Sequence, residues 1–418
     1  MTGVQTCALP ISLGYVMQDV VADAMTVEAV PNVDARGRPL DEARRAAMHA
    51  TMQTLGRMAV LAGGLGVSIV NVTMLGGVQD LTPAERVDVY VRVHVIALAI
   101  PVVSVLGVVL GGVLRRRARA RLIAAGLSAD EAARGLGTDP APPPVNPWIL
   151  GGGAAFAAVS LLAGLSDPPW GQEAVFVLSM AVISTLVWRL LRDLPPAQRR
   201  ALLATALVIW VYRATPLPGP ALTWWMIDAL RFDEAFLAEL SLVGSVLGLV
   251  GLVVFRRFMA ERPVHVVLGV LTVASAALML PFVGMTLGLH EWTAARTGGV
   301  VDARFIAVAN TALESPLSQV ALVPMLAWVA RFAPERMKAT YFAVMVSFSN
   351  LALQASQLGT KWLNHLFVVS REVRDDAGAL VVPADYASID ALLVTTTALG
   401  LVLPLAAIAL AVRAVRRG

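Results

Sequence analysis

The sequence predicts an all-α polytopic membrane protein with about eleven transmembrane helices. Of its 418 residues, 57% are hydrophobic and only 15% are charged. Continuous apolar runs of about 20 residues recur along the whole chain, and each is long enough to cross a ~30 Å hydrocarbon core. The predicted spans are 13–31, 54–77, 90–114, 147–165, 173–192, 201–219, 236–255, 264–289, 303–330, 340–367 and 389–412.

The basic residues follow the pattern of membrane topology. The formal net charge is +4, and most arginines lie in short loops on alternate sides of successive spans. By the positive-inside rule, the first span ends in the cytoplasm and the C-terminus is cytoplasmic. We therefore expect an integral protein of a bacterial inner membrane. Since no basic patch is interleaved with aromatics, nucleic-acid binding is not expected.

Two connections and one interrupted span stand out along the chain. Residues 115–146 run from RRRARAR through the helical piece SADEAARGL into APPPVNP, which indicates a cytoplasmic linker. In 216–235, Trp224 and Trp225 suit a membrane interface. The span at 302–331 contains Pro316 and Pro324 and is expected to be kinked.

Small-residue motifs that would allow close helix packing are Gly107-x-x-x-Gly111 and Gly244-x-x-x-Gly248-x-x-Gly251.

Two carboxylates lie inside the first predicted span. Asp19 and Asp23 are four residues apart, so they share one helix face. A carboxylate at bilayer depth costs roughly 2.5–3.5 kcal/mol, and intramembrane acids usually line a pathway or bind a charged partner. Uptake of a proton or a solute is therefore the favoured role, and a structural hydrogen bond or ion pair is the alternative. Glu28 is rotated off this face and suits the interface.

Three further charges lie within apolar segments. Arg213 is predicted to lie about 18–20 Å along its helix from the cytoplasmic end, and Asp19 lies at a similar distance from the cytoplasmic end of its own helix. Either Asp19 or Asp23 can therefore pair with Arg213 across a central cavity. Arg213 is then either a structural counter-ion or a ligand for an anionic solute. Glu314 lies in the outer half of the kinked helix, either as a site residue or merely solvated. Lys361 can snorkel to the interface and receives no role.

The sequence offers little for an enzyme or a metal site. The single cysteine, Cys7, excludes a disulfide framework, and the five histidines show no metal-ligand spacing. There is no Walker A loop and no assembled nucleophile–base pair. We expect no cofactor, no metal and no catalysis.

Three stretches of the chain carry recognisable motifs. DVVADAMTVE at 19–28 is similar to the D-V-x-x-D-x-x-x-x-E pattern in the fourth helix of the folate–biopterin transporter family, a branch of the major facilitator superfamily. Residues 305–360 resemble its tenth and eleventh helices, with APER before a cytoplasmic loop and an F-A-x-x-x-S-x-x-N run. Residues ATPLPGPALTWWMIDALRFDEAFLAELSLVGSVLGLVG are similar to its seventh and eighth helices.

The resemblance implies a domain organisation with major-facilitator-type helical bundles. If residue 13 opens the fourth helix, the first three helices are missing, and the opening MTGVQTCALPIS resembles translated sequencing adapter. The expected divisions are 1–11, a non-native segment; 12–114, three helices remaining from the N-terminal bundle; 115–146, the linker; 147–192, a two-helix insertion; and 193–418, a six-helix C-terminal bundle.

The resemblance also implies a function. We expect a secondary active transporter that moves a small organic solute by alternating access, coupled to protons, with folate or a pteridine as the family's usual substrate. Carried over, Asp19 and Asp23 are the cavity-facing acids; Arg213 and Glu314 are added from the residues themselves. The alternatives are a membrane assembly factor for pigment–protein complexes, and a sugar–cation symporter or drug exporter. Expected partners are the solute, protons and lipid, with a monomer favoured.

Overall fold

A computed structural model describes residues 22, 25, 29–34, 36–75, 82–137, 147–166, 170–192, 194–331, 338–374 and 379–416. Its helices in chain order are α1 (Glu42–Leu75), α2 (Pro83–Ala97), α3 (Ala99–Ala124), α4 (Ala129–Gly135), α5 (Pro147–Ser166), α6 (Gly171–Leu191), α7 (Pro196–Ala214), α8 (Pro220–Asp228), α9 (Glu234–Val254), α10 (Arg256–Glu261), α11 (Val264–Thr286), α12 (Leu289–Arg296), α13 (Ala303–Glu314), α14 (Leu322–Arg331), α15 (Lys338–Leu366) and α16 (Ile389–Arg416). A 3₁₀ turn, Ser315–Leu317, follows α13, and strands β1 (Val373–Arg374) and β2 (Leu380–Val382) pair antiparallel.

The described residues form two compact units. The first contains those up to 143 together with 330–339, and the second contains 144–329 and 340 onwards. Within the described residues, five helical segments are long and apolar enough to cross a membrane: Ala84–Ala124, Gly171–Leu191, Val264–Thr286, Ala303–Val329 and Ile389–Ala414. The prediction of an all-α polytopic membrane protein is confirmed.

In the first unit, α2 and α3 form one long apolar segment interrupted at Leu98. The most apolar window of Ala84–Ala124 has no buried residue, as suits a surface matched to lipid. Within the described residues, no neighbouring element lies within 4 Å of where a Cβ on Gly107 or Gly111 would stand. The close helix packing predicted for these two glycines therefore stays a prediction.

The predicted helical piece of the linker is α4. Ser128 caps its N-terminus and forms a capping box with Glu131, whose carboxylate accepts from the Ser128 hydroxyl at 2.7 Å and its backbone N–H at 2.9 Å. These hydrogen bonds lower the pKa of Glu131 because they stabilise the ionised carboxylate. The segment is therefore helical because its own sequence supplies both halves of the cap.

In the second unit, α16 packs against α7 and α11, and α5 packs against α6. A buried cluster joins α8, α11, α13 and α16, with Trp225, Met285, Ile306, Leu392 and Leu393 at its centre. Trp225 is only 6% exposed and lies within this cluster, so its ring packs against protein. Its position at the membrane interface stays a prediction.

Polar contacts hold the short connecting elements of the second unit. Asp228, at the end of α8, accepts from the Tyr386 hydroxyl at 2.5 Å and pairs with Arg371 at 3.5 Å. Burial and the adjacent Asp228 carboxylate raise the pKa of Tyr386. Asp233 caps α9 through the Phe236 N–H and pairs with Arg304 at 3.1 Å, and both contacts lower its pKa.

Candidate functional site

The two carboxylates that are the main site candidates of the sequence analysis lie outside the described residues. Asp19 and Asp23, together with Glu28, belong to the N-terminal part of the chain that the structure does not describe. Their role therefore stays a prediction. The other two candidates, Arg213 and Glu314, both lie in the second unit.

Arg213 is the penultimate residue of α7 and is half-buried. Its Nη1 donates to the Ser349 hydroxyl at 2.7 Å, and its Nη2 donates to Asn350 Oδ1 at 3.3 Å. Ser349 is buried, and both acceptors are uncharged groups that orient the guanidinium. The position at the C-terminal end of α7 also favours a cation, because the helix dipole is negative there.

The predicted span 201–219 continues past the observed end of α7 at Ala214. Pro216 and Pro218 have no N–H to continue the helix, and Gly219 has a φ of 64°. The chain therefore turns into an extended segment directly after Arg213. A cavity of about 80 Å³, large enough for water, lies beside this segment and is lined by Thr215, Pro216, Leu217, Pro218, Ser275, Ala276, Met279, Thr396, Thr397 and Gly400.

Hydroxyls of α15 bind this extended segment. The Ser356 hydroxyl donates to the Thr215 carbonyl at 2.7 Å. The Thr360 hydroxyl donates to the Leu217 carbonyl at 2.9 Å and accepts from the Leu217 N–H at 3.2 Å. Ser349, Ser356 and Thr360 are spaced seven and four residues apart, so they share one face of α15. This face satisfies the backbone groups that the end of α7 leaves unpaired.

Glu314 is the last residue of α13, immediately before the 3₁₀ turn. Its Oε2 accepts from Asn310 Nδ2 at 3.1 Å. Asn310 is 4% exposed, whereas Glu314 is exposed. The predicted kink is confirmed as a break, because Pro316 cannot donate to the carbonyl four residues earlier. Pro324 falls in the first turn of α14, where proline is tolerated.

Glycines of α9 allow this break to lie close to the neighbouring helix. A Cβ on Gly251 would stand 2.0 Å from the Pro316 carbonyl oxygen, and a Cβ on Gly244 would stand 3.2 Å from the Ser315 hydroxyl. The packing role predicted for these two glycines is confirmed. The close approach fixes the 3₁₀ turn, and hence Glu314, against α9.

Sequence reasoning missed the ion pair that Lys361 forms. Lys361 Nζ lies 2.7 Å from Glu173 Oε1, and the two side chains are 34% and 26% exposed. The pair links α6 of the predicted two-helix insertion to α15. Charged residues on two separate predicted spans were the available signal, but 188 positions separate them, and the sequence does not show which spans are neighbours.

We expect this ion pair to stabilise the packing of α6 against α15. Lys361→Met or Glu173→Gln leaves a partly buried charge without its partner and should lower the melting temperature of the purified protein. The double variant should recover part of that loss, with a coupling energy of about 1–2 kcal/mol. Scanning fluorimetry on all four proteins measures this coupling. Strictly additive effects would contradict a stabilising pair.

A second cavity has none of the predicted site residues in its lining. A groove of about 680 Å³ lies between α5 and α6 and is lined by Pro147, Gly151, Gly152, Ala181, Val182, Thr185, Leu186 and Arg189. It is mainly apolar, as expected for a helix pair facing lipid.

These features define a polytopic helical membrane protein with charged side chains held at helix ends. A family model described as the BT1 family matches residues 4–416. The chain belongs to the BT1 family, and its predicted resemblance to the folate–biopterin transporter family is confirmed at this level.

Individual relatives give a more limited picture. The chain is 31% identical over 182 residues to a folate-biopterin transporter of Synechocystis sp. (strain ATCC 27184 / PCC 6803 / Kazusa), covering 43% of this chain and 34% of that relative. The chain thus spans about a third of the length of that curated relative. It is also similar, at a TM-score of 0.31 and 14% identity, to the crystal structure of a bacterial homologue of the iron transporter ferroportin in an outward-facing state, with 99% and 91% of the two chains covered. That similarity is too weak to bear on function.

Proposed function

We propose that this protein is a secondary active transporter that moves a small organic solute of folate or pteridine type by alternating access, coupled to protons. Membership of the BT1 family and the similarity to a folate-biopterin transporter support this proposal. The major facilitator arrangement, the bacterial inner membrane and a cytoplasmic C-terminus belong to the same proposal.

The observation that carries the proposal is the arrangement around Arg213. A guanidinium presents donors in a planar fork that matches a carboxylate, and it stays charged at any physiological pH. Ser349 and Asn350 each accept one of its N–H groups, so its orientation is set before a solute arrives. A guanidinium whose orientation is set in this way supports the binding of a carboxylate-bearing solute.

Proton coupling is assigned to the acids. Asp19 and Asp23, outside the described residues, are proposed to take up and release the coupling proton, with Glu314 as a further candidate. Burial opposes the charged form of such acids and a nearby cation favours it, so a change of access can change their protonation. Alternating access would then expose the solute and the proton to one side of the membrane at a time.

Uptake into proteoliposomes tests the proposal. Vesicles carrying the complete gene product should accumulate radiolabelled folate or biopterin under an inwardly directed proton gradient, and a protonophore should abolish this accumulation. With one proton per solute, one pH unit permits about tenfold accumulation, because 1.4 kcal/mol corresponds to a factor of ten.

Three results would argue against the proposal in different ways. Uptake equal to that of protein-free vesicles for every solute would favour an assembly-factor role. Selective uptake of sugars or amphiphilic drugs would favour another transport class. Accumulation that ignores the proton gradient would remove the coupling but leave solute transport intact.

A further inference from the structure

The break after α13 places a carboxylate where the helix itself disfavours one. Glu314 is the last residue of α13, and Ser315–Leu317 interrupts the helix inside the apolar segment Ala303–Val329. The C-terminal end of a helix carries partial negative charge. An ionised Glu314 therefore adds negative charge to an end that already has it, and a bound cation would relieve this repulsion.

The hydrogen bonding of Asn310 points to the same conclusion. Its Nδ2 donates to Glu314, but its buried Oδ1 has no hydrogen-bond partner among the described residues. A buried, unsatisfied oxygen costs free energy unless a donor or a cation reaches it. The Nδ2 group of Asn310 is thus bonded to the Glu314 carboxylate without a bound cation, while Oδ1 is left without a partner among the described residues.

The same amide can serve a second state. A half-turn of the Asn310 side chain would bring Oδ1 to face Glu314, which is favourable only when a proton or a metal cation lies between the two oxygens. Oxygen atoms of carboxylates and amides are the ligands that hard cations prefer. Asn310 would then stabilise both the empty and the loaded carboxylate, with opposite ends of one group.

We propose that Asn310 and Glu314, at the break between α13 and α14, form a binding site for a small monovalent cation, either H⁺ or Na⁺. This inference rests on the proposed function, because it makes the site a carrier of the coupling ion within the second unit. Interrupted transmembrane helices bind ions in this way elsewhere, since the free helix end supplies negative potential without a second acid.

The charged groups on the helices packed against α13 can be named for the described residues. Within the described residues, no salt bridge joins Glu314 to a basic side chain. The helices packed against α13 are α9, α11 and α12. Their ionisable side chains are Glu234, Glu239, His265, His290, Glu291 and Arg296, and α13 itself carries Arg304 beside its cap Asp302. Of these, Arg304 is already paired with Asp233.

Cation-dependent thermal stability of the purified protein tests the site without any transport measurement. A ligand that binds only the folded protein raises its melting temperature as the ligand concentration rises. Sodium chloride is titrated at pH 8 against equal choline chloride, and pH is varied from 8 to 5 in choline chloride alone. A response to sodium at fixed pH identifies Na⁺, and a response to pH that is smaller in Glu314→Gln than in the wild-type protein identifies H⁺.

Glu314→Gln should abolish the response, while Glu239→Gln, an exposed acid on neighbouring α9, should keep it. Asn310→Leu should raise the half-saturating cation concentration at least about threefold, a tenfold change being 1.4 kcal/mol. A merely structural Asn310 would lower the melting temperature at every concentration without moving half-saturation. No response in the wild-type protein, or an undiminished one in Glu314→Gln, overturns the inference.

The result is separable from the proposed transport. If the protein binds the cation through Glu314 but transports no folate or pteridine, the cation site stands and the proposed function is wrong. A protein that moves the solute while Glu314→Gln retains full cation dependence keeps the function and loses the site.

Discussion

Gly251→Ala should destabilise the second unit by about 1–3 kcal/mol, the usual cost of forcing an extra group into a packed interface. The added Cβ would stand 2.0 Å from the oxygen and 2.5 Å from the carbonyl carbon of Pro316. Because both are backbone atoms, no side chain can rotate away, and the break or α9 itself must move. Thermal unfolding of the detergent-solubilised protein measures the loss.

Two other glycines provide matched controls for this substitution. Gly107→Ala adds the same methyl group where nothing lies within 4 Å, and alanine is the better helix former, so stability should hold or rise. Gly244→Ala should have an intermediate effect, since its new Cβ would meet the Ser315 hydroxyl at 3.2 Å, which can turn aside. Equal stabilities of the Gly251 and Gly107 variants would contradict the close approach of α9 to the break.

Arg213→Ala should reduce solute uptake more than tenfold, chiefly by raising KM. A charge-assisted hydrogen bond contributes about 1.5–3 kcal/mol, which corresponds to a factor of about 10 to 150 in affinity. Arg213→Lys keeps the charge but loses the planar fork, so its loss should be smaller yet measurable. Initial rates of folate uptake in proteoliposomes, at several folate concentrations, separate KM from the maximal rate.

Arg262→Ala is the control for this prediction, because Arg262 is an exposed arginine in the connection before α11. Ser349→Ala should weaken uptake less than Arg213→Ala, since it removes only one contact that orients the guanidinium. Equal KM values for the Arg213 and Arg262 variants would remove the anion site while leaving the transport proposal open.

Helix positions in this protein could be predicted because apolar runs and prolines are local signals. The start of α11 at Val264 and that of α16 at Ile389 match the predicted spans. The predicted end of α7 was five residues late, because hydropathy alone passed over Pro216 and Pro218. Hydropathy measures how apolar a segment is, whereas proline removes a particular hydrogen bond.

Partners of the site residues could be predicted only in part. Asn350 closes the F-A-x-x-x-S-x-x-N run, so a polar role for that position was within reach. Asn350 accepts from Arg213, 137 residues away, because α7 lies beside α15. The local periodicity of a sequence does not show which helices are neighbours. The same reason hid the pairing of Glu173 with Lys361. By contrast, Asn310 and Glu314 are four residues apart, and their contact follows from helical spacing.

The hydroxyls that α15 offers to the extended segment after α7 have a mechanical consequence. Thr360 makes two hydrogen bonds to Leu217, and Ser356 makes one to Thr215. We therefore expect a tilt of α15 to move the C-terminal end of α7, together with the Arg213 guanidinium. A solute bound by the Arg213 guanidinium would then move together with both helices. The conformational cycle would change the groups around the solute without breaking its contact with Arg213.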